Sequence, residues 1–277
     1  MRRVKIALCG FVALALLGLS ACAAMPHPSV QPSQAQESSA PSAAPSPSPR
    51  PSPSPSPLQP SPSPEPTSAP LPLSGLVIGL DPGHQAKGNS GKEPVAPGSS
   101  EKKAKVTSGT QGKWSKVPEH EVNLKVALLV RDLLEEQGAT VVMTRQTADV
   151  DISNVGRAQF FNDQKTDFAL RLHCNGSENS SDHGAFVIVP TEGEHKKQCD
   201  AAAKKLIDAY CAETGAKNMG LRAMGNQTGF NWCNRMVINI EMGYMTNKEE
   251  DALLTDSDYQ VKMAQGICNG ILAYYEK

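Results

Sequence analysis

Short apolar runs alternate with amphipathic stretches along most of this chain. Leu76-Val-Ile-Gly-Leu80, Thr140-Val-Val-Met-Thr144, Phe168-Ala-Leu-Arg-Leu172, Ala185-Phe-Val-Ile-Val189 and Met236-Val-Ile-Asn-Ile240 are brief and apolar. Runs of that length, bounded by turn residues, predict buried strands. Between them, Val122, Val126, Leu129, Val130 and Leu133 recur at helical spacing, with Gly138 placed to close the helix. Ser153 predicts the cap of a short helix through Phe161. Ala202, Leu206, Ala209 and Tyr210 mark a helix closed by Gly215, and Val261, Ala264, Ile267, Cys268, Ile271 and Leu272 line a last one. Strands alternating with amphipathic helices predict a single α/β domain, its sheet flanked by helices on both faces. The polar, Gly- and Lys-rich stretch from Gln85 to Val117 reads as one long loop.

The front of the chain follows no such pattern. Residues 1–21 carry Arg2, Arg3 and Lys5 ahead of an apolar core too short to span a bilayer comfortably, the layout of a targeting segment. It ends Leu19-Ser20-Ala21-Cys22, which resembles the bacterial lipobox. That resemblance implies cleavage before Cys22 and acylation of it, and two or three acyl chains anchor stably where one is marginal. Residues 22–73 are nearly all Pro, Ser and Ala; most of the chain's 22 prolines are here. Such a composition buries no core and reads as a disordered tether. At ~3.1 Å per residue it reaches about 150 Å. The folded unit is then 74–277. The expected location is outside the cytoplasm, lipid-anchored to the membrane. One reading of the tether is a spacer that lifts the domain into the cell wall, the other a tail of no selected length.

Net charge is −1 and aromatic residues make up 5% of the chain, so nothing points to a nucleic-acid partner. A monomer is expected. The folded unit holds Cys174, Cys199, Cys211, Cys233 and Cys268; an odd count leaves at least one thiol outside any intramolecular disulfide. The chemistry gathers elsewhere. His84 follows the first strand and the turn Asp81-Pro82-Gly83, His173 follows Leu172, and Glu241 follows Ile240. In open α/β sheets ligands bind at the carboxyl ends of strands. Glu119 heads the first helix, with His120 and Glu121 beside it as alternatives. Two His and two Glu on one rim supply three ligands for a zinc ion and a separate carboxylate to take a proton from water.

Five ordered segments carry a wider likeness: Val77-Ile-Gly-Leu-Asp-Pro-Gly-His84, Glu119-His-Glu-Val-Asn-Leu124, Val141-Val-Met-Thr-Arg145, Leu170-Arg-Leu-His-Cys-Asn175 and Ile238-Asn-Ile-Glu-Met-Gly-Tyr-Met-Thr-Asn247. The chain from Leu76 onward resembles the zinc-dependent N-acetylmuramoyl-L-alanine amidases, the amidase-3 type of cell-wall hydrolase. The resemblance implies a twisted, mostly parallel sheet and one zinc ion per chain, held by His84, Glu119 and His173. It implies Glu241 as the catalytic carboxylate, peptidoglycan as substrate, and cleavage between the lactyl group of N-acetylmuramic acid and L-alanine. The resemblance, through the family's spacing to Asn123, also implies Glu119 over His120 and Glu121. Asp81 and Asn175 could orient the ligands or merely form turns. Arg145 could grip a peptide carboxylate or pair with a surface acid. Cys174 stands beside His173 but on the opposite strand face. No long extra helix is evident between His173 and Glu241, so an open site is expected. A catalytically silent wall-binding lipoprotein and a zinc peptidase cutting within the stem peptide are the alternatives.

Overall fold

The computed structural model describes residues 69–276. The proposed targeting segment, Cys22 and nearly all of the tether lie outside the described residues. Leu73, which composition assigns to the tether, is fully buried, and its N–H donates to the Gln137 carbonyl.

Six strands form one sheet in the order β4-β1-β5-β8-β6-β7. They are β1 (Val77–Pro82), β4 (Thr140–Met143), β5 (Phe168–Asn175), β6 (Ala185–Val189), β7 (Asn218–Ala223) and β8 (Val237–Tyr244). Every pairing is parallel except β6 against β8. The expected mostly parallel sheet is present. The expected long loop is not: β2 (Asn89–Pro94) and β3 (Lys102–Val106) pair there as an antiparallel hairpin. Its lysine-rich strands lack the branched apolar alternation that marks a strand in sequence. β7, with Gly220 and no branched run, escaped the pattern for the same reason.

Each face of the sheet buries a different set. Ile78, Leu80, Leu170, Leu172, Ile238 and Ile240 point to one side, against α1 (Glu119–Glu136), α3 (Lys196–Thr214) and α6 (Ser257–Tyr275). Each such side chain contributes ~1.5–3 kcal/mol on burial. On the other side, Ala169, Phe186, Ile188 and Val237 meet Phe161 of α2 (Asn154–Asp163) and Phe230 of α4 (Thr228–Asn231). Helices therefore cover both faces, with α5 (Lys248–Thr255) leading into α6.

The helix ends follow local chemistry. Ser153 accepts from the Gly156 N–H at 3.1 Å. Gly138 and Gly215 take φ of 90° and 74°, the left-handed turn that ends a helix most easily at glycine. One helical reading fails: Val261 is 54% exposed, and Met263 takes the buried place in α6.

Candidate metal centre

The second face of the sheet carries a polar column as well as its small apolar cluster. Asp81, Arg171 and Asn239 stand in one register row across β1, β5 and β8. His173 and Glu241, two residues further along their strands, share that face. Both lie inside their strands, which run past Leu172 and Ile240 instead of stopping there. The ladder is irregular just beyond them, between His173 and Asn175, as strands often are beside active sites.

His84 is set by a braced turn. Its φ is 61°, uncommon for a residue with a side chain. Arg145 donates to the carbonyls of Pro82 and Gly83 at 2.8 and 3.0 Å, and to that of His120 at 2.9 Å. Arg157 donates to the carbonyls of Pro82 and His84. Asp81, fully buried, pairs with Arg157 and Arg171 and accepts from the Thr144 hydroxyl. Burial works to raise its carboxyl, yet the two guanidiniums and Thr144 hold it far below the usual carboxylate range. Arg145 therefore neither grips a peptide nor meets a surface acid: it is buried and supports the turn. Asp81 touches none of the candidate ligands and acts on His84 only through this turn. Asn175 accepts from the Gly176 N–H, a turn role.

Three side chains converge. His84 Nε2 lies 3.2 Å from Glu119 Oε2, and His173 Nδ1 lies 3.1 Å from Glu119 Oε1. The candidate ligand atoms of all three lie within 4.8 Å of one another. Thr107, just past β3, places its carbonyl 2.8 Å from His84 Nδ1. A carbonyl only accepts, so Nδ1 carries the hydrogen and Nε2 turns its lone pair inward. A histidine oriented from behind in this way is the usual partner of a metal. Glu119 is held as firmly. Its Oε1 accepts from Asn123 Nδ2 and the Cys174 N–H, and its Oε2 from the Thr110 N–H.

Two glycines make room. A Cβ on Gly83 would stand 2.2 Å from the His173 ring; one on Gly109, at φ 81°, would stand 2.6 Å from Glu119 Oε2. No side chain fits at either place.

The electrostatics suit a divalent cation. Burial opposes the charge on Glu119, but the His173 and His84 rings beside it hold its carboxyl well below the ordinary value. Burial pushes the His173 imidazole down to about 4, so it is neutral at pH 7. A carboxylate and a neutral imidazole are protonation states a metal requires of its ligands. Two imidazoles and one carboxylate are a donor set that could hold a divalent metal ion. The side chains of His84 and His173 are 15% and 14% exposed, so the centre is reachable from solvent. Burial and the nearby Glu119 charge raise the Glu241 carboxyl to about 8, against a hydrogen bond from Asn239 Nδ2 at 3.0 Å.

The other candidates stand apart. Glu121 is exposed, and His120 and Cys174 are outside the cluster. The Cys174 thiol is buried in the opposite core. All five described cysteines are unpaired. No sequence motif marks Thr107 or Arg157 for this site; for Arg171 the signal is an arginine inside the apolar run Phe168–Leu172.

Several known proteins resemble this chain. The germination-specific N-acetylmuramoyl-L-alanine amidase of Bacillus subtilis (strain 168) is 29% identical over 225 residues, which are 74% of this chain and 82% of that protein. The N-acetylmuramoyl-L-alanine amidase LytC of the same strain is 27% identical over 161 residues, 57% of this chain and 31% of that one. The crystal structure of the apo form of the N-acetylmuramyl-L-alanine amidase Ami1 from Mycobacterium abscessus superimposes with a TM-score of 0.68 at 25% identity, covering 74% of this chain and 100% of that one. A family model described as N-acetylmuramoyl-L-alanine amidase, Amidase_3, matches residues 78–273, and this chain belongs to that family.

Proposed function

We propose that this chain hydrolyses the amide between the lactyl group of N-acetylmuramic acid and L-alanine in peptidoglycan. In this reading His84, Glu119 and His173 hold one zinc ion and Glu241 is the general base and acid. The observation that carries it is the convergence of three donor side chains, within 4.8 Å, with Glu241 paired in register to His173 on the same face of the sheet. Zinc bound there supplies Lewis acidity, polarising the amide carbonyl and making a water more acidic. Glu241 takes the proton of the attacking water as the C–O bond forms. It then returns that proton to the departing alanine nitrogen as the C–N bond breaks. Asn239 occupies Oε1 of Glu241, which leaves Oε2 to carry the proton.

The segments 1–21, 22–73 and 74–277 are proposed as lipoprotein signal, tether and catalytic domain. Acylated Cys22 would hold the enzyme on the outer face of the cell membrane, with the tether letting it reach the wall. Among the described residues no helix is long and apolar enough to cross a membrane.

Purified wild type should carry about one zinc per chain and release free stem peptide from sacculi. Glu241→Gln should keep the zinc and lose hydrolysis by roughly 10²–10⁴-fold. His84→Ala should lose both. An active Glu241→Gln protein would overturn the assignment of the base. Products that keep the muramoyl–alanine bond would identify a peptidase instead.

A further inference from the structure

We propose that Arg222 forms a subsite for a carboxylate on the leaving peptide, the free acid of the residue that follows L-alanine. This deepens the amidase reading above and rests on it. The placement follows from the ladders. β6 runs antiparallel to β8 with Phe186 opposite Glu241, and β7 runs parallel to β6 with Arg222 opposite Ile188. Phe186 and Ile188 are two residues apart and share the face of the sheet that carries Glu241. Arg222 is therefore on that same face, and its guanidinium carbon lies 3.7 Å from the centre of the Phe186 ring. Its charge is one of those that act on Glu241.

Arg222 stands apart from the other arginines. Among the described residues, Arg131, Arg157 and Arg171 pair with acids, while Arg145 and Arg235 are taken up by backbone carbonyls. Arg222 is partly exposed and has no acceptor among the described residues. Stacking uses the flat face of a guanidinium and leaves its in-plane N–H groups free. Those N–H groups form the fork that matches a carboxylate. An ammonium would offer no such fork, and a neutral carboxamide would accept from it less strongly.

The dimensions agree. β7 lies two strands from β8, roughly 10 Å across the sheet. L-alanine and the residue after it span roughly 7 Å when extended. The Arg222 side chain, leaning back over Phe186, covers the remainder. With the scissile amide at Glu241, the next carboxylate along the peptide falls at this guanidinium.

The test uses two N-acetylmuramoyl tripeptides that differ only at the second amino acid, which bears a free carboxylate in one and a carboxamide in the other. With the zinc-loaded full chain, wild type should cleave the acid with a kcat/KM roughly tenfold or more above that of the amide. Arg222→Gln should erase that preference by raising KM on the acid alone, while any effect of the lost charge on Glu241 alters kcat on both substrates alike. Arg222→Lys should restore part of it. Equal losses on both substrates, or a loss confined to kcat, would mean that Arg222 acts on Glu241 or on the fold, and would overturn the subsite. Calorimetric binding of the two free tripeptides to wild type and Arg222→Gln decides the matter without turnover. If neither muramoyl substrate is cleaved but the acid peptide still binds through Arg222, the amidase reading fails and the subsite stands.

Discussion

His173 on β5 and Glu241 on β8 are register partners, side by side on one face of the sheet. Parallel pairing at matched register sends both side chains the same way, which sets a carboxyl beside a neutral imidazole. The consequence for stability is measurable in the metal-free protein. Folding raises the Glu241 carboxyl from its ordinary 4.5 to about 8, through burial first and the charge of Glu119 second. A raised carboxyl binds its proton more tightly in the folded chain. Its contribution is fully present below pH 4.5 and is lost as pH rises through 8. Glu241→Gln has no proton to lose. In chelator, wild type and Glu241→Gln should melt alike near pH 4.5, and the variant should melt higher at pH 8. A wild type that gains on the variant as pH rises would overturn this account of Glu241.

Asp81 is the hub on which the His84 turn is built. It binds two buried guanidiniums at once, from α2 and β5, and accepts from Thr144. Asp81→Asn keeps the shape but strands Arg157 and Arg171 without a counter-charge. A buried pair broken on one side typically costs about 3–5 kcal/mol. Urea unfolding of the variant should show a loss of about that size, along with weaker zinc retention because Arg157 no longer holds the turn in place. A change below about 1 kcal/mol would show that water satisfies those arginines in place of the carboxylate.

The tether makes its own prediction. The proposed anchor at Cys22 requires its thiol, so on that reading Cys22→Ser in the expressed full chain should move the protein from the membrane fraction to the soluble one. Hydrolysis of soluble muropeptides should be unchanged, because the described residues contain the whole candidate site. Membrane association that survives the substitution would exclude the lipid anchor.

Local chemistry determined much of this protein in advance. The runs that became β1, β4, β5, β6 and β8 were visible because a buried strand needs consecutive or alternating apolar residues. The helix start at Ser153 and the stops at Gly138 and Gly215 are legible because helix ends need caps or a left-handed turn. His84, Glu119, His173 and Glu241 were named from short motifs at strand ends and a helix start. Tertiary structure decided the rest. The hairpin of β2 and β3 carries lysines where the pattern wants branched residues, yet it delivers the Thr107 carbonyl to His84. The role of Arg145 depends on carbonyls of a turn 62 and 63 residues away in sequence. Asp81 meets Arg157 and Arg171 across 76 and 90 residues. Periodicity records which side of an element faces water, because that depends on neighbours one to four residues away. It holds no record of which distant charges share a buried space, since only the closed sheet brings them together.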